Sequence, residues 1–319
     1  MSRELAEVTV IGDDKTGIVA QVTTLLFERG VNIEDIDQAV RDGLFRMTLH
    51  ANTSEMVCNQ TTFREAARDL ANELGVEIQV RFPADRETQQ IAVLCTKESH
   101  CLEAIFDARE QGELDAEVGL VLSNRSQLAG LAEQYGVPFY DVGDEKGSPD
   151  EARMLDILAE HEADLIVLAR YMRILSPNIV FRYEDRIINI HPSLLPSFPG
   201  GYAYQQAEQE GVRIAGVTAH YVTTDLDQGP IITQRAFNVP DATDADEIKQ
   251  LGQPLEADAL LEAIELHLHD DITVHHGRTR LRDDRNRDDY QLGMDGRVAE
   301  LTPNEPVDRA HRLETSEHS

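Results

Sequence analysis

Four short apolar runs constrain this chain more than any other feature in it: Ile91–Cys95, Val118–Leu122, Leu165–Ala169 and Arg186–Ile190. None alternates apolar with polar residues, so a sheet built from them must be covered on both faces. Segments with helical periodicity separate them, at Cys101–Glu110, Arg125–Tyr135 and Asp150–His161, with a short strand near Phe139. This alternation predicts an open, mostly parallel α/β sheet. Ligands of such sheets sit beyond the carboxyl ends of the strands. Residues at those ends are therefore the first candidates for chemistry.

The last run ends on two of them. Asn189 and His191 are two residues apart and share one face of a strand. Pro192 follows and denies the ladder a donor, which puts His191 at the strand's end. A short helix opened by Ser176-Pro177 precedes this strand, with serine as cap and proline in the first turn. Gly200-Gly201 breaks the loop after it, and Tyr202–Glu210 reads as helix. Val212–Val222 and Pro230–Phe237 read as long strands around the turn Asp225-Leu226-Asp227-Gln228-Gly229, 36 positions after His191 in the case of Asp227. A long amphipathic helix, Asp244–His269, and a hairpin around Gly277 follow.

An amide, an imidazole and a carboxylate in one cleft suit acyl transfer. The first two can stabilise a developing oxyanion, and the carboxylate can orient or deprotonate a nucleophile. Taken singly, a histidine satisfied in the core and an aspartate capping a turn explain the same residues.

The N-terminal part has a different rhythm. Glu7–Ile11 alternates as a strand, Gly17–Gly30 carries a helical stripe (Ile18, Val19, Val22, Leu25, Leu26), and Val31, Ile33 and Ile36 mark a second strand. Asp42-Gly43 signals a hairpin into Leu44–Ala51. A helix at Thr61–Leu74, stopped by Gly75, and a strand at Val76–Phe82 complete a βαββαβ, ferredoxin-like order. Pro83–Gln90 is polar. The expected division is therefore an N-terminal domain at 1–83, a linker at 84–90, a larger domain at 91–282, and a charge-dense disordered tail at 283–319.

Composition excludes several roles. The net charge is −30, with only four lysines against 25 arginines and 59 acidic residues. No basic surface exists for non-specific nucleic-acid binding. Acidic, lysine-poor surfaces suit a salt-rich cytosol, where screening blunts self-repulsion, and point to a halophilic source. No apolar run approaches the roughly 20 residues of a membrane span. The N-terminus lacks a signal peptide's apolar stretch, so a soluble cytoplasmic protein is expected. Cys58, Cys95 and Cys101 are an odd number without metal-type spacing and read as buried thiols. His267, His269, His275 and His276 read as surface histidines, and no metal site is expected. There is no phosphate loop, dinucleotide fingerprint or nucleophile elbow.

Asp-Lys-Thr-Gly-Ile-Val-Ala (14–20) and Arg-Gly-Val-Asn-Ile (29–33) in their βαββαβ context resemble an ACT domain. That resemblance implies an amino acid effector near Asp13, Asp14 and Asn32, and a homo-oligomer. A module that only pairs chains is the alternative.

Residues 189–200, Asn-Ile-His-Pro-Ser-Leu-Leu-Pro-Ser-Phe-Pro-Gly, resemble the signature of the 10-formyltetrahydrofolate-dependent formyltransferase fold. Residues 220–232, His-Tyr-Val-Thr-Thr-Asp-Leu-Asp-Gln-Gly-Pro-Ile-Ile, resemble its second signature. The resemblance implies a Rossmann-like domain, a catalytic trio of Asn189, His191 and Asp227, and folate as substrate with no resident cofactor. Arg170-Tyr171-Met172-Arg173-Ile174-Leu175 resembles the folate-side loop, so Arg173, Ile174, Leu175, Thr223, Thr224 and Asp225 become folate candidates. Plain core packing is the alternative for Met172, Ile174 and Leu175.

Within that fold, members passing the formyl group to glycinamide ribonucleotide open their first βα turn with glycine. Here the turn is Thr96-Lys97-Glu98-Ser99-His100-Cys101-Leu102, and Glu98 would repel an acceptor phosphate. This turn, Leu168–Met172 and the ACT domain resemble the formyltetrahydrofolate deformylases, which pass the group to water. Pro192 and Leu194 depart from that pattern, standing as they do in the transferases. Hydrolysis is thus the expected reaction. Transfer to a phosphorylated amine and a weakly catalytic amino acid sensor are the alternatives.

Overall fold

A computed structural model describes residues 5–82, 88–275 and 277–282. The N-terminal domain comprises β1 (Leu5–Asp13), α1 (Ile18–Glu28), β2 (Asn32–Arg41), β3 (Leu44–Asn52), α2 (Gln60–Leu74) and β4 (Glu77–Arg81). Its antiparallel sheet runs β2-β3-β1-β4. One sheet face buries Val8, Val10, Met47 and Leu49 against Ile18, Val22, Leu26 and Phe63 of the two helices. The helical stripe in α1 exists to make that contact. Asp42 and Gly43 both take positive φ, 53° and 81°, the mirror-image turn that matches strand twist in a two-residue hairpin.

The second domain holds β5 (Gln89–Cys95), α3 (His100–Gln111), β6 (Ala116–Ser123), α4 (Ala129–Gln134), β7 (Phe139–Asp141), α5 (Glu151–Glu160) and β8 (Leu165–Leu168). It continues with α6 (Pro177–Arg182), β9 (Ile187–His191), α7 (Ala203–Gln209), β10 (Ile214–Tyr221), β11 (Ile231–Asn238), α8 (Ala245–Leu268), β12 (Ile272–His275) and β13 (Arg278–Leu281). The seven strands run β11-β10-β9-β8-β5-β6-β7; β9 through β7 are parallel, while β10 runs antiparallel to both β9 and β11. The apolar runs are covered on both faces, as their composition requires. Strand order reverses between β5 and β8, which opens a crevice at their carboxyl ends.

Several local expectations are corrected. The helix expected at Arg125–Tyr135 is a 3₁₀ turn, Ser126–Leu128, followed by the shorter α4. Strand β5 begins at Gln89, inside the segment read as linker. Ser176 precedes α6, but its hydroxyl makes no capping bond; its backbone N–H donates to Glu151 instead. The tail at 283–319 and His276 lie outside the described residues. Among these, no helix is long and apolar enough to cross a membrane.

Charged groups join the two domains. Arg46 on β3, 3% exposed, pairs with Asp37 of its own sheet and with Glu184 after α6, and stacks 5.5 Å from the Phe181 ring centre. Thr48 donates to Glu184 at 3.1 Å, Arg182 donates to Glu77 at 2.5 Å, and Arg81 donates to Asp164 at 3.2 Å. Burial pushes the nearby Asp185 carboxyl up to about 6.

His267, expected on the surface, is partly buried on α8 and accepts the Tyr221 hydroxyl at Nδ1, 2.8 Å away. Burial, helped by Arg186 and Arg81, pushes its ring down to about 4 from an ordinary 6.5. Between these values an unfolded chain binds a proton that the folded chain refuses. His267 therefore costs stability as pH falls from 6.5 towards 4, by roughly 3 kcal/mol at the lower end. Asp185 acts oppositely over 6 to 3.8, because its folded carboxyl holds a proton that the unfolded one releases. Urea midpoints at pH 7 and pH 4.5 are expected to fall more in the wild type than in His267→Gln. Equal falls in both would refute the assignment.

Candidate active site

Strand register assembles the site. Asn189 and His191, at the end of β9, face His220 and Thr218 on β10. The loop leaving β9 is tied back to the sheet: Thr218 donates to the Ser193 carbonyl (2.7 Å) and accepts the Leu195 N–H (3.1 Å). Gln234 on β11 donates to the Leu195 carbonyl (3.1 Å) and to Thr218 (2.9 Å). Held in this way, the loop returns Phe198 and Gly200 to the strand end it left.

Asp227 meets them from the other side. It sits in the left-handed region (φ 53°), which aspartate tolerates better than most residues. Gly229 lets the turn close, since a Cβ there would lie 1.8 Å from the Tyr221 carbonyl oxygen. The Asp227 side chain is 7% exposed; its Oδ2 accepts the Gly200 N–H at 2.6 Å and lies 3.4 Å from His191 Nδ1. The trio expected from sequence is thus brought together.

The hydrogen bonds divide the labour within it. Nε2 of His191 is 2.9 Å from the Phe198 carbonyl, which can only accept, so that nitrogen carries a proton. The Nδ1 contact with Asp227 is then attractive when the ring carries both protons. Both ring nitrogens thus face protein partners, whereas the expectation had His191 aimed at an oxyanion. Asn189 is the donor left for that work. One of its amide hydrogens goes to Nε2 of His220 at 3.1 Å, and the second remains for a ligand. His220 can accept there because its Nδ1 donates to the Tyr221 carbonyl at 2.8 Å. Burial pushes the His220 ring down, which keeps it neutral in this role. Its Nε2 lies 3.8 Å from Asp227 Oδ1. His220 was missed by the sequence reading, although it lies within the second signature.

A cleft of about 640 Å³ opens in front of these groups, lined also by Met172, Ile174, Thr223 and Tyr202. Met172 and Ile174 are 53% and 72% exposed, so of the core-packing alternatives only buried Leu175 (6%) fits. Arg173 lines the cleft, but its guanidinium donates to the carbonyls of Gly147 (2.8 Å) and Lys146 (3.3 Å). Thr223 donates to the Asp225 carbonyl at 3.1 Å. Thr224 and the Asp225 carboxylate instead accept from Arg41 of the N-terminal domain.

The cleft is also lined by a charged group, Glu98, Arg170 and Lys249. Glu98 accepts from Lys249 at 2.7 Å and from Arg170 at 3.3 Å. Burial opposes its charge, but these two cations outweigh burial and hold the carboxyl below its ordinary range. Behind it Glu256, fully buried on α8, accepts the Tyr204 hydroxyl at 2.5 Å and contacts Arg170 and His100 at 3.3 and 3.2 Å. His100, Cys101 and Glu256 bring potential ligand atoms within 4.8 Å of one another. Arg170 already supplies the cation there, and burial and Glu256 push the Cys101 thiol up. Glu256 and Lys249 had no role in the sequence reading, and Arg170 figured there only as part of the folate-side loop.

The effector candidates do not converge within one chain. Asp13 pairs with Leu44 at one end of β3, whereas Asn32 pairs with Asn52 at the other. Eight strand positions, on the order of 26 Å, separate the two ends.

Comparison with known proteins finds two family models in the chain. A Formyl transferase family model matches residues 89–264, and an ACT domain model matches residues 5–81. The formyltetrahydrofolate deformylase of Bacillus subtilis is 34% identical over 271 residues, covering 83% of this chain and 90% of that protein. A solved formyltetrahydrofolate deformylase from Pseudomonas syringae shares 30% identity at a TM-score of 0.60, over 88% of this chain and 95% of that one. The phosphoribosylglycinamide formyltransferase of Anaplasma phagocytophilum shares 33% identity at a TM-score of 0.58, but covers only 62% of this chain.

Proposed function

The chain belongs to the formyltetrahydrofolate deformylase family, and from that premise we propose that it hydrolyses 10-formyltetrahydrofolate to tetrahydrofolate and formate. The observation that carries the reading is Asp227 lining the same cleft as Asn189, joined to it through His220, with its Oδ2 engaged by Gly200 and His191. Oδ1 makes no such bond and can take a proton from a water molecule as it attacks the formyl carbon. The second Asn189 N–H stabilises the oxyanion that forms. The nearby His191, when doubly protonated, adds positive charge and holds Asp227 in orientation. The C–N bond then breaks, and the proton that Asp227 took from water passes to the folate nitrogen as it leaves, which restores the carboxylate. The reaction uses these side chains, water and the folate, with no resident cofactor. Met172, Ile174 and Thr223 are the folate contacts that this reading favours.

Water as acceptor is supported by Glu98. Its carboxylate occupies the cations that a phosphorylated amine would need. Inorganic phosphate is expected to leave the wild type unaffected at millimolar concentration and to inhibit Glu98→Gln. Equal sensitivity of the two proteins would contradict this role. The reaction itself is tested by following formate from 10-formyltetrahydrofolate with and without glycinamide ribonucleotide. Release without the amine is expected, and strict dependence on it would favour transfer.

The ACT domain supports a small-molecule effector, and an amino acid at the Asp13–Asp14 turn is our reading. Asn32 lies at the far end of its own sheet, so a ligand touching both needs a second copy of the chain. That requirement favours a homo-oligomer.

A further inference from the structure

The tip of the β2–β3 hairpin, far in sequence from the cleft, ends against the turn that carries Asp227. Arg41, the last residue of β2, donates from Nη2 to the Asp225 carboxylate at 2.5 Å and to the Thr224 hydroxyl at 3.2 Å, with a weaker Nε contact to Thr224 at 3.4 Å. Asp225 is two residues before Asp227, and its backbone carbonyl closes the turn by accepting from Gln228 at 3.2 Å and from the Thr223 hydroxyl at 3.1 Å. Arg41 therefore grips the turn on its outer side, while Gly200 and His191 hold the Asp227 carboxylate on the inner side.

We propose that Arg41 is a positioning residue for the proposed hydrolysis, supplied by the N-terminal domain, which fixes the 223–228 turn so that Asp227 Oδ1 faces the cleft. The proposal rests on the reading of Asp227 as the base. Its physical logic is that a turn with a residue in the left-handed region, flanked by the exposed Asp225 and Leu226, has few contacts of its own to resist reorientation. A planar guanidinium with donors to two consecutive residues restrains it more than a point charge could. The same hairpin is tied to the Asp13–Asp14 turn, because Asp14 donates its N–H to the Gly43 carbonyl at 3.1 Å. A small molecule binding at that turn thus has a route of one hydrogen bond and one turn of chain to the grip on Asp225.

Four proteins test this: wild type, Arg41→Ala, Asp225→Ala and the double variant, with Arg41→Lys as the conservative control. Formate release should show kcat reduced by about threefold to tenfold in Arg41→Ala, the scale for charge-assisted bonds at a half-exposed site. KM for the folate should move less than kcat, and Arg41→Lys should recover part of the loss. The double variant should be no worse than the poorer single one. Additive losses, or an unchanged kcat in Arg41→Ala, would overturn the proposal. Hydrogen exchange at Leu226–Gln228 provides a second readout that needs no turnover. Faster exchange confined to that turn is expected in Arg41→Ala, and unchanged exchange refutes the grip even if the wild type releases no formate. Loss of turnover in the wild type itself would instead count against the hydrolase reading.

Discussion

Asp227→Asn is expected to lower kcat for formate release by about 10³-fold, within the range for loss of a positioned base, while the protein stays folded. The amide can keep its oxygen on the Gly200 N–H, now accepted by Oδ2 at 2.6 Å, so the turn retains its anchor. What changes is the other atom. In place of Oδ1, the variant presents an NH₂ group that cannot take a proton from water. A melting midpoint near the wild-type value, combined with the kinetic loss, separates chemistry from folding. Full activity in the variant would remove Asp227 from the mechanism.

The largest effect on stability is expected at Glu256. It is fully buried and holds Tyr204, His100 and Arg170 together from the middle of α8. Glu256→Leu leaves the Arg170 charge buried and the Tyr204 hydroxyl without its acceptor. Removing one partner of a buried ion pair costs about 3–5 kcal/mol. Glu98 still faces Arg170, which places the expected loss at the lower end of that range. Against a typical total of about 5–15 kcal/mol, the change should be plain in urea unfolding at pH 7. Glu256→Gln keeps the oxygen that accepts from Tyr204 and should lose less. A Glu256→Leu protein as stable as wild type would mean that Arg170 does not depend on Glu256.

The contrast between Asp227 and Glu256 explains what was legible beforehand. Asn189, His191 and Asp227 lie in two continuous stretches whose residue types and order carry the chemistry. The sheet could be read because continuous apolar runs have few other solutions. His220 was passed over because one histidine in an apolar strand looks like a core residue; only its register opposite Asn189 reveals a partner. Glu256, Arg170, Glu98 and Lys249 belong to four separate segments, and no local pattern signals that they share one charge network. Asn32 shows a different limit, since within one chain it lies away from Asp13. Its neighbourhood along the chain was read correctly, but proximity to a motif does not say which end of a sheet a residue occupies. Similarly, Ser176 sits where a cap is expected, yet the N–H of its own backbone, not its hydroxyl, makes the local bond.

The central claim is that Asp227 activates water against a formyl group. It is tested most directly by turnover of 10-formyltetrahydrofolate in ¹⁸O-labelled water without any amine. Each formate released is predicted to carry one solvent oxygen, at a rate that collapses in Asp227→Asn. Formyl recovered only on an added phosphorylated amine, with no labelled formate in its absence, would contradict the account.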